Sequence, residues 1–158
     1  MWTDVVAGGS SGIGLATVDL LQSLGALVVS GDVQEPQATG DFLFVKTDVT
    51  SWADLIKLFK AALEKHGRID YVFANAGIGP RADFLSLEMD ENGDPKQPNN
   101  ATLDTDLQSV VNTATLAVHY LKRQPEGGSI VLTGSCTALH PFRAVDYCTC
   151  YTCSPWSN

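Results

Sequence analysis

The stretch that most constrains the fold is "AGGSSGIG", Ala7 to Gly14, placed directly behind the apolar run "TDVV". After it, Ile13, Ala16, Leu20, Leu21 and Leu24 keep helical spacing, and Gly25 stands where a helix would close. A short buried strand that turns through glycines into a helix is the reading. Gly8, Gly12 and Gly14 let the backbone turn tightly, come close to an anion and pack the helix on the strand. The first-turn N–H groups of that helix are a natural anion site. A tight turn with no ligand would use the same glycines, so the turn alone leaves both readings open.

The rest of the chain repeats the alternation. "ALVVSGD" (26–32), "FLFVKTD" (42–48), "DYVFANAG" (70–77) and "GGSIVLTGS" (127–135) read as further strands. Ser51 opens a second helix, with Asp54 in capping-box position and Trp52, Leu55, Phe59, Ala62 and Leu63 as its apolar stripe. Leu103, Leu107, Val110, Val111, Ala114, Val118 and Leu121 mark a third, long helix. Residues 33–41 and 79–100 read as loops. The order β-α-β-β-α-β-α-β predicts an α/β fold, a doubly wound parallel sheet with helices on both faces that stops after about five strands.

Composition narrows the partners. With 18 Asp and Glu against 10 Lys and Arg, the net charge is -8 and no basic run appears. That argues against nucleic acid and against an anionic membrane surface. There is no charged-then-apolar leader and no apolar run of the roughly 18 residues a membrane span needs, so a cytoplasmic protein is expected. Three of the four cysteines (Cys148, Cys150, Cys153) crowd the final stretch. C-x-C-x-x-C is one ligand short of a closed zinc site, and His140 does not stand at finger spacing, so no metal is expected.

Asp32 closes the second strand, 18 residues beyond Gly14. A carboxylate there can accept from the ribose hydroxyls of an adenine dinucleotide, and its pairing with the glycine turn favours a dinucleotide site. No Arg or Lys lies in the turn or directly after Asp32 to receive a 2'-phosphate. NAD(H) is therefore favoured, with NADP(H) possible.

At this point the motifs resemble those of the short-chain dehydrogenase/reductase family. "GGSSGIG", the Asp48-Val49 pair, "NAG" at Asn75, Ala76 and Gly77, and "GGSIVLTGS" followed by "FRAVDY" occur in the family's order. The resemblance implies a Rossmann-like domain over residues 1–147 that is C-terminally incomplete, followed by a divergent Cys-rich tail, 148–158. It implies a dinucleotide held by Gly8, Ser10, Ser11, Gly12, Ile13, Gly14, Asp32, Asp48, Val49, Asn75, Ala76 and Gly77. It implies hydride transfer with a small-molecule carbonyl or alcohol substrate, Ser135 polarising the oxygen and Tyr147 exchanging its proton. Without the resemblance, Ser135 reads as a strand-end polar residue and Tyr147 as a half-buried aromatic.

The pattern breaks in two places. The family's Lys, four residues after the catalytic Tyr, is replaced by Tyr151, and Lys122 is the last lysine of the chain. The family's catalytic Asn on the long helix falls at Asp106. A free Tyr has a pKa of about 10, and bringing it near 7 takes on the order of 4 kcal/mol of electrostatic help. In the family the Lys ammonium supplies much of that. Weakened catalysis is thus expected, and an inactive dinucleotide- or partner-binding remnant, or non-redox reuse of the pocket, is the alternative. An apolar fifth strand left as a sheet edge predicts a homo-oligomer or self-association.

Overall fold

The structure, a computed structural model, describes residues 1–37, 40–82 and 86–135. The chain divides into two compact units, Met1–Ala76 with Ser109–Thr133, and Gly77–Gln108 with Gly134–Asn158.

The first unit is built on five parallel strands: β1 (Thr3–Ala7), β2 (Leu27–Asp32), β3 (Leu43–Lys46), β4 (Tyr71–Ala74) and β5 (Ser129–Leu132). Their spatial order is β3-β2-β1-β4-β5, with β1 central and buried along its whole length. Val5 pairs with Val29 on one side and Val72 on the other, and Val72 pairs in turn with Ile130. These β-branched residues suit a strand covered on both faces. Each strand is shorter than its apolar run because the run's ends already belong to turns. The β2–β3 connection carries no helix among its described residues, as its composition predicted.

Helices cover the two faces unequally. Helix α2 (Trp52–His66) packs on β1, β2 and β3, and the helix Ser109–Leu121 packs on β4 and β5. Both join one core with Val5, Val29, Leu55, Phe59, Val72 and Leu116, where the rings of Phe59 and Tyr120 stack at 5.2 Å. On the opposite face α1 (Gly12–Ser23) is the one helix among the described residues, over β1 and β2, with Val6, Val18, Ala26 and Val28.

The buried stripes differ from the sequence expectation. On α1 the buried residues are Gly14 and Val18, while Ile13, Leu20 and Leu24 are exposed. Close approach of Gly14 to the glycine turn sets the rotation of the helix and turns those apolar residues outward. On α2 the buried set is Leu55, Leu58, Phe59 and Ala62, and Trp52 is exposed. On Ser109–Leu121 the buried set is Ser109, Thr113, Leu116, Ala117 and Leu121, with Val111 and Val118 outside.

Local chemistry fixes the ends. The Ser51 hydroxyl accepts from Asp54 N–H, while the Asp54 carboxylate reaches back to Asp48 N–H, a variant of the capping box. Gly67 ends α2 in the left-handed conformation, its N–H donating to Leu63 O at 2.8 Å. Asp70 ties three segments together. Its carboxylate accepts from Thr3 N–H and pairs with Arg68, and its carbonyl accepts from Ser129 N–H. Burial pushes the Asp70 carboxyl up, but the bonds from Arg68 and Thr3 outweigh this and hold it below the usual carboxylate range.

In the second unit, the stretch expected as loop contains a Met89–Pro95 antiparallel bridge around Asp90. The Asp90 carboxylate accepts from the N–H groups of Asn92 and Asp94, which lowers its pKa. Further on, Ala101–Leu103 is one helical turn, α3, and Asp104–Gln108 continues it as a π turn. We label the following helix, Ser109–Leu121 of the first unit, α4. No helix among the described residues is long and apolar enough to cross a membrane.

Candidate dinucleotide site

The C-terminal ends of β1, β2 and β4 bring most of the proposed site together within the first unit. Gly8 takes φ +86°, and a Cβ there would lie 2.5 Å from the Ala76 backbone. Its N–H donates to Gly31 O at 2.7 Å, closing β1 against β2. Gly14 is bound more tightly still. A Cβ on it would overlap the Gly8 carbonyl oxygen and stand 2.7 Å from Asn75 Nδ2. Gly12, at φ +52°, meets nothing and is needed for its backbone conformation alone.

Ser11 is the N-cap of α1, and its side chain makes no capping bond. Ser11, Gly12 and Ile13 are exposed, so the first turn of α1 presents its N–H groups to an incoming anion. The Ser10 N–H donates to Asp32 Oδ2 at 3.0 Å, and Gln34 N–H lies 3.3 Å from Asp32 Oδ1. Asp32 therefore stands at the end of β2 with its carboxylate held against the glycine turn. Asp48 is exposed, its Oδ1 accepting from the Thr50 N–H and hydroxyl, while Val49 is buried in the core below.

Asn75 is the hub. Its Nδ2 donates to Gly8 O at 3.0 Å, and its Oδ1 accepts from the Thr133 hydroxyl at 3.0 Å. The N–H groups of both Asn75 and Ala76 donate to Ala7 O. The side-chain amide thus spans the end of the sheet from the glycine turn on β1 to the exit of β5. Thr133 went unseen in the sequence, where it reads as one more strand residue of "IVLTG". Only its place beyond β5, with its N–H on Ala74 O, turns its hydroxyl into a support for Asn75.

Gly77, Asp106 and Ser135 belong to the second unit. Asp106 is buried in the π turn, and its Oδ1 accepts from Ile78 N–H at 2.8 Å, one residue past the "NAG" turn. A carboxylate does this as well as the family's amide would, but it offers no N–H in return. Ser135 is half-buried. Tyr147, Tyr151 and the tail cysteines lie outside the described residues.

The chain matches the short chain dehydrogenase family over residues 3–155. It is 54% identical over 151 residues to the short-chain dehydrogenase/reductase ascJ of Acremonium egyptiacum, covering 92% of this chain and 51% of that protein. Against the short-chain dehydrogenase/reductase prx4 of Penicillium roqueforti the identity is 37%, covering 87% of this chain and 41% of the relative. Among solved structures, that of gox2181 superposes with a TM-score of 0.78 at 25% identity, over 96% of this chain and 61% of that one. A short-chain dehydrogenase/reductase of Serratia marcescens gives 0.75 at 28%, over 96% and 66%. The chain spans about half the length of the curated relatives it matches. With a family match over residues 3–155 and 54% identity to a relative over 92% of its length, the chain belongs to the short-chain dehydrogenase family.

Proposed function

We propose that this chain carries the dinucleotide-binding half of a nicotinamide-dependent oxidoreductase acting on a small carbonyl or alcohol compound, with NAD(H) preferred. The observation that carries it is the Ser10 N–H to Asp32 Oδ2 bond at 3.0 Å, which holds a carboxylate beside the glycine turn. Ribose hydroxyls can exchange into that position, and a 2'-phosphate there would meet negative charge. The residues fit the group. Gly8 and Gly14 leave no room for a side chain, the first turn of α1 has no side-chain cap, and Asp48 with Val49 follows β3, where the family resemblance would put the adenine ring.

When bound, the nicotinamide supplies or accepts the hydride. The first-turn N–H groups of α1 would hold its pyrophosphate, and Asn75 fixes the turn on which they stand. The oxygen of the substrate is assigned to Ser135 and its proton to Tyr147, both by family resemblance. Tyr151 in place of Lys removes the cation that would stabilise the Tyr147 phenolate, so proton exchange is slowed, by roughly the hundred- to ten-thousandfold that acid–base assistance contributes. A small-molecule substrate is the expected partner, in a homo-oligomer.

One observation favours NADP(H) as the second reading. Lys46 is the register partner of Asp32 on the neighbouring strand, and register partners share a face of the sheet. Titration of NADH and NADPH fluorescence with the full chain decides. The proposal expects NADH to bind more tightly and Asp32→Ala to erase the difference. Equal or tighter NADPH binding, lost in Lys46→Ala, would establish the second reading, and binding of neither would remove the site.

A further inference from the structure

The side chain of Asn75 lies in a directed chain of hydrogen bonds. Its Nδ2 donates to Gly8 O at 3.0 Å, and its Oδ1 accepts from the Thr133 hydroxyl at 3.0 Å. Gly8 O can only accept, so the amide must face it with its NH2 and turn its oxygen to Thr133. A flipped amide would set oxygen against oxygen at Gly8. The Thr133 hydroxyl is in turn held in place by its own backbone, whose N–H donates to Ala74 O at 3.0 Å.

We propose that this chain of bonds is a relay: pyrophosphate on the first turn of α1 and the conformation of the backbone leaving β5 bias one another through the Asn75 amide, with Thr133 as the positioning residue. The inference rests on the dinucleotide reading of the glycine turn and adds a coupling between the two ends of the site. Ser135, assigned to the substrate oxygen by family resemblance, follows Thr133 by two residues in sequence. The far end of the relay is therefore on the substrate side.

Packing leaves the relay no slack at its glycine end. A Cβ on Gly14 would overlap Gly8 O and stand 2.7 Å from Asn75 Nδ2, and one on Gly8 would stand 2.5 Å from the Ala76 backbone. The first turn of α1, the Gly8 carbonyl and the amide therefore move together. An anion that fixes the first turn fixes Gly8 O against the amide. That bond polarises the amide and strengthens the one from Thr133, because hydrogen bonds in a chain reinforce each other away from bulk water. A fixed hydroxyl holds Thr133 and with it the exit of β5. Linkage makes the effect reciprocal, so an ordered β5 exit raises the affinity for pyrophosphate by the same factor. Adenosine alone has no group for the first-turn N–H groups of α1 and leaves the relay untouched.

The test is hydrogen–deuterium exchange of the full chain, read by mass spectrometry on the peptides that contain Thr133, with adenosine diphosphate ribose and adenosine as probes. Saturating adenosine diphosphate ribose should slow exchange there about fivefold, and adenosine should not. Thr133→Val should remove the protection and weaken adenosine diphosphate ribose about fivefold in calorimetric titration, with adenosine unchanged. Thr133→Ser, which keeps the hydroxyl, should restore both. A side chain that only filled space would be replaced by Val without loss, and one that only stabilised the sheet would weaken both probes alike. Protection that survives Thr133→Val, equal weakening of the two probes, or no rescue by Ser would overturn the relay. If adenosine diphosphate ribose binds and the Thr133 peptides do not respond, the relay alone falls. If it does not bind, the dinucleotide reading falls first and the relay with it.

Discussion

Replacing Asp4 by Asn should stabilise the first unit at neutral pH while leaving it almost unchanged in acid. Burial is the main cause, lifting the Asp4 carboxyl from 3.8 to about 6; a bond from the Trp2 side chain opposes it, and the negative charge of Asp70 adds to it. The folded state then holds this proton more tightly than the unfolded chain. As pH rises from about 4 to about 6 the unfolded state is the first to release it, so stability falls across that window and stays lowered above it. At about 1.36 kcal/mol per tenfold change in proton affinity, the rise is worth roughly 3 kcal/mol. Asn keeps the shape and an acceptor for Trp2 and cannot ionise. Urea unfolding followed by far-UV circular dichroism at pH 4 and pH 7.5 measures the difference between the two proteins. Carboxyls held low, such as Asp54, Asp70 and Asp90, slope the other way but are common to both and cancel. We expect near equality at pH 4 and an advantage for the variant of about 2–3 kcal/mol at pH 7.5. A variant less stable at pH 7.5, or an advantage independent of pH, would show that Asp4 is not ionised in a dry site.

Gly14→Ala forces a methyl onto the Gly8 carbonyl and Asn75 Nδ2, and should abolish NADH binding while lowering the melting temperature. Thr133→Val removes the donor to Asn75 Oδ1 and should cost about 1 kcal/mol, read as an approximately fivefold weaker NADH titration with little change in the far-UV spectrum. Arg68→Met takes the partner from Asp70, so stability should drop at pH 7, and in urea titrations the loss should shrink as pH falls below the ordinary carboxylate range and the depressed Asp70 carboxyl of the fold also takes up its proton. Tyr151→Lys alone should leave turnover of NADH with a panel of ketones far below that of the full-length relatives, because Asp106 still stands where the family has Asn.

What could be read from the sequence was local, and what could not depends on neighbours. The glycine turn, the five strands and Asp32 announce themselves within a few residues, because backbone conformation and strand apolarity are properties of short segments. The faces of the helices do not. Ile13, Leu20 and Leu24 have the spacing of a core stripe, yet α1 buries Gly14 and Val18 because a glycine must meet the Gly8 carbonyl. Ser109 and Thr113 look like surface residues and lie inside, while Val111 and Val118 look like core and lie outside. Apolar spacing records only that a surface avoids water, not which neighbour covers it. The Asn75–Thr133 bond joins residues 58 apart and depends on β4 and β5 being neighbours, so no local pattern could announce it. Asp4 is the opposite case, a charge inside an apolar run that local reasoning passes over as strand. Only the folded sheet shows that its Oδ2 is buried without a donor while Tyr71 and Val131 beside it are half exposed.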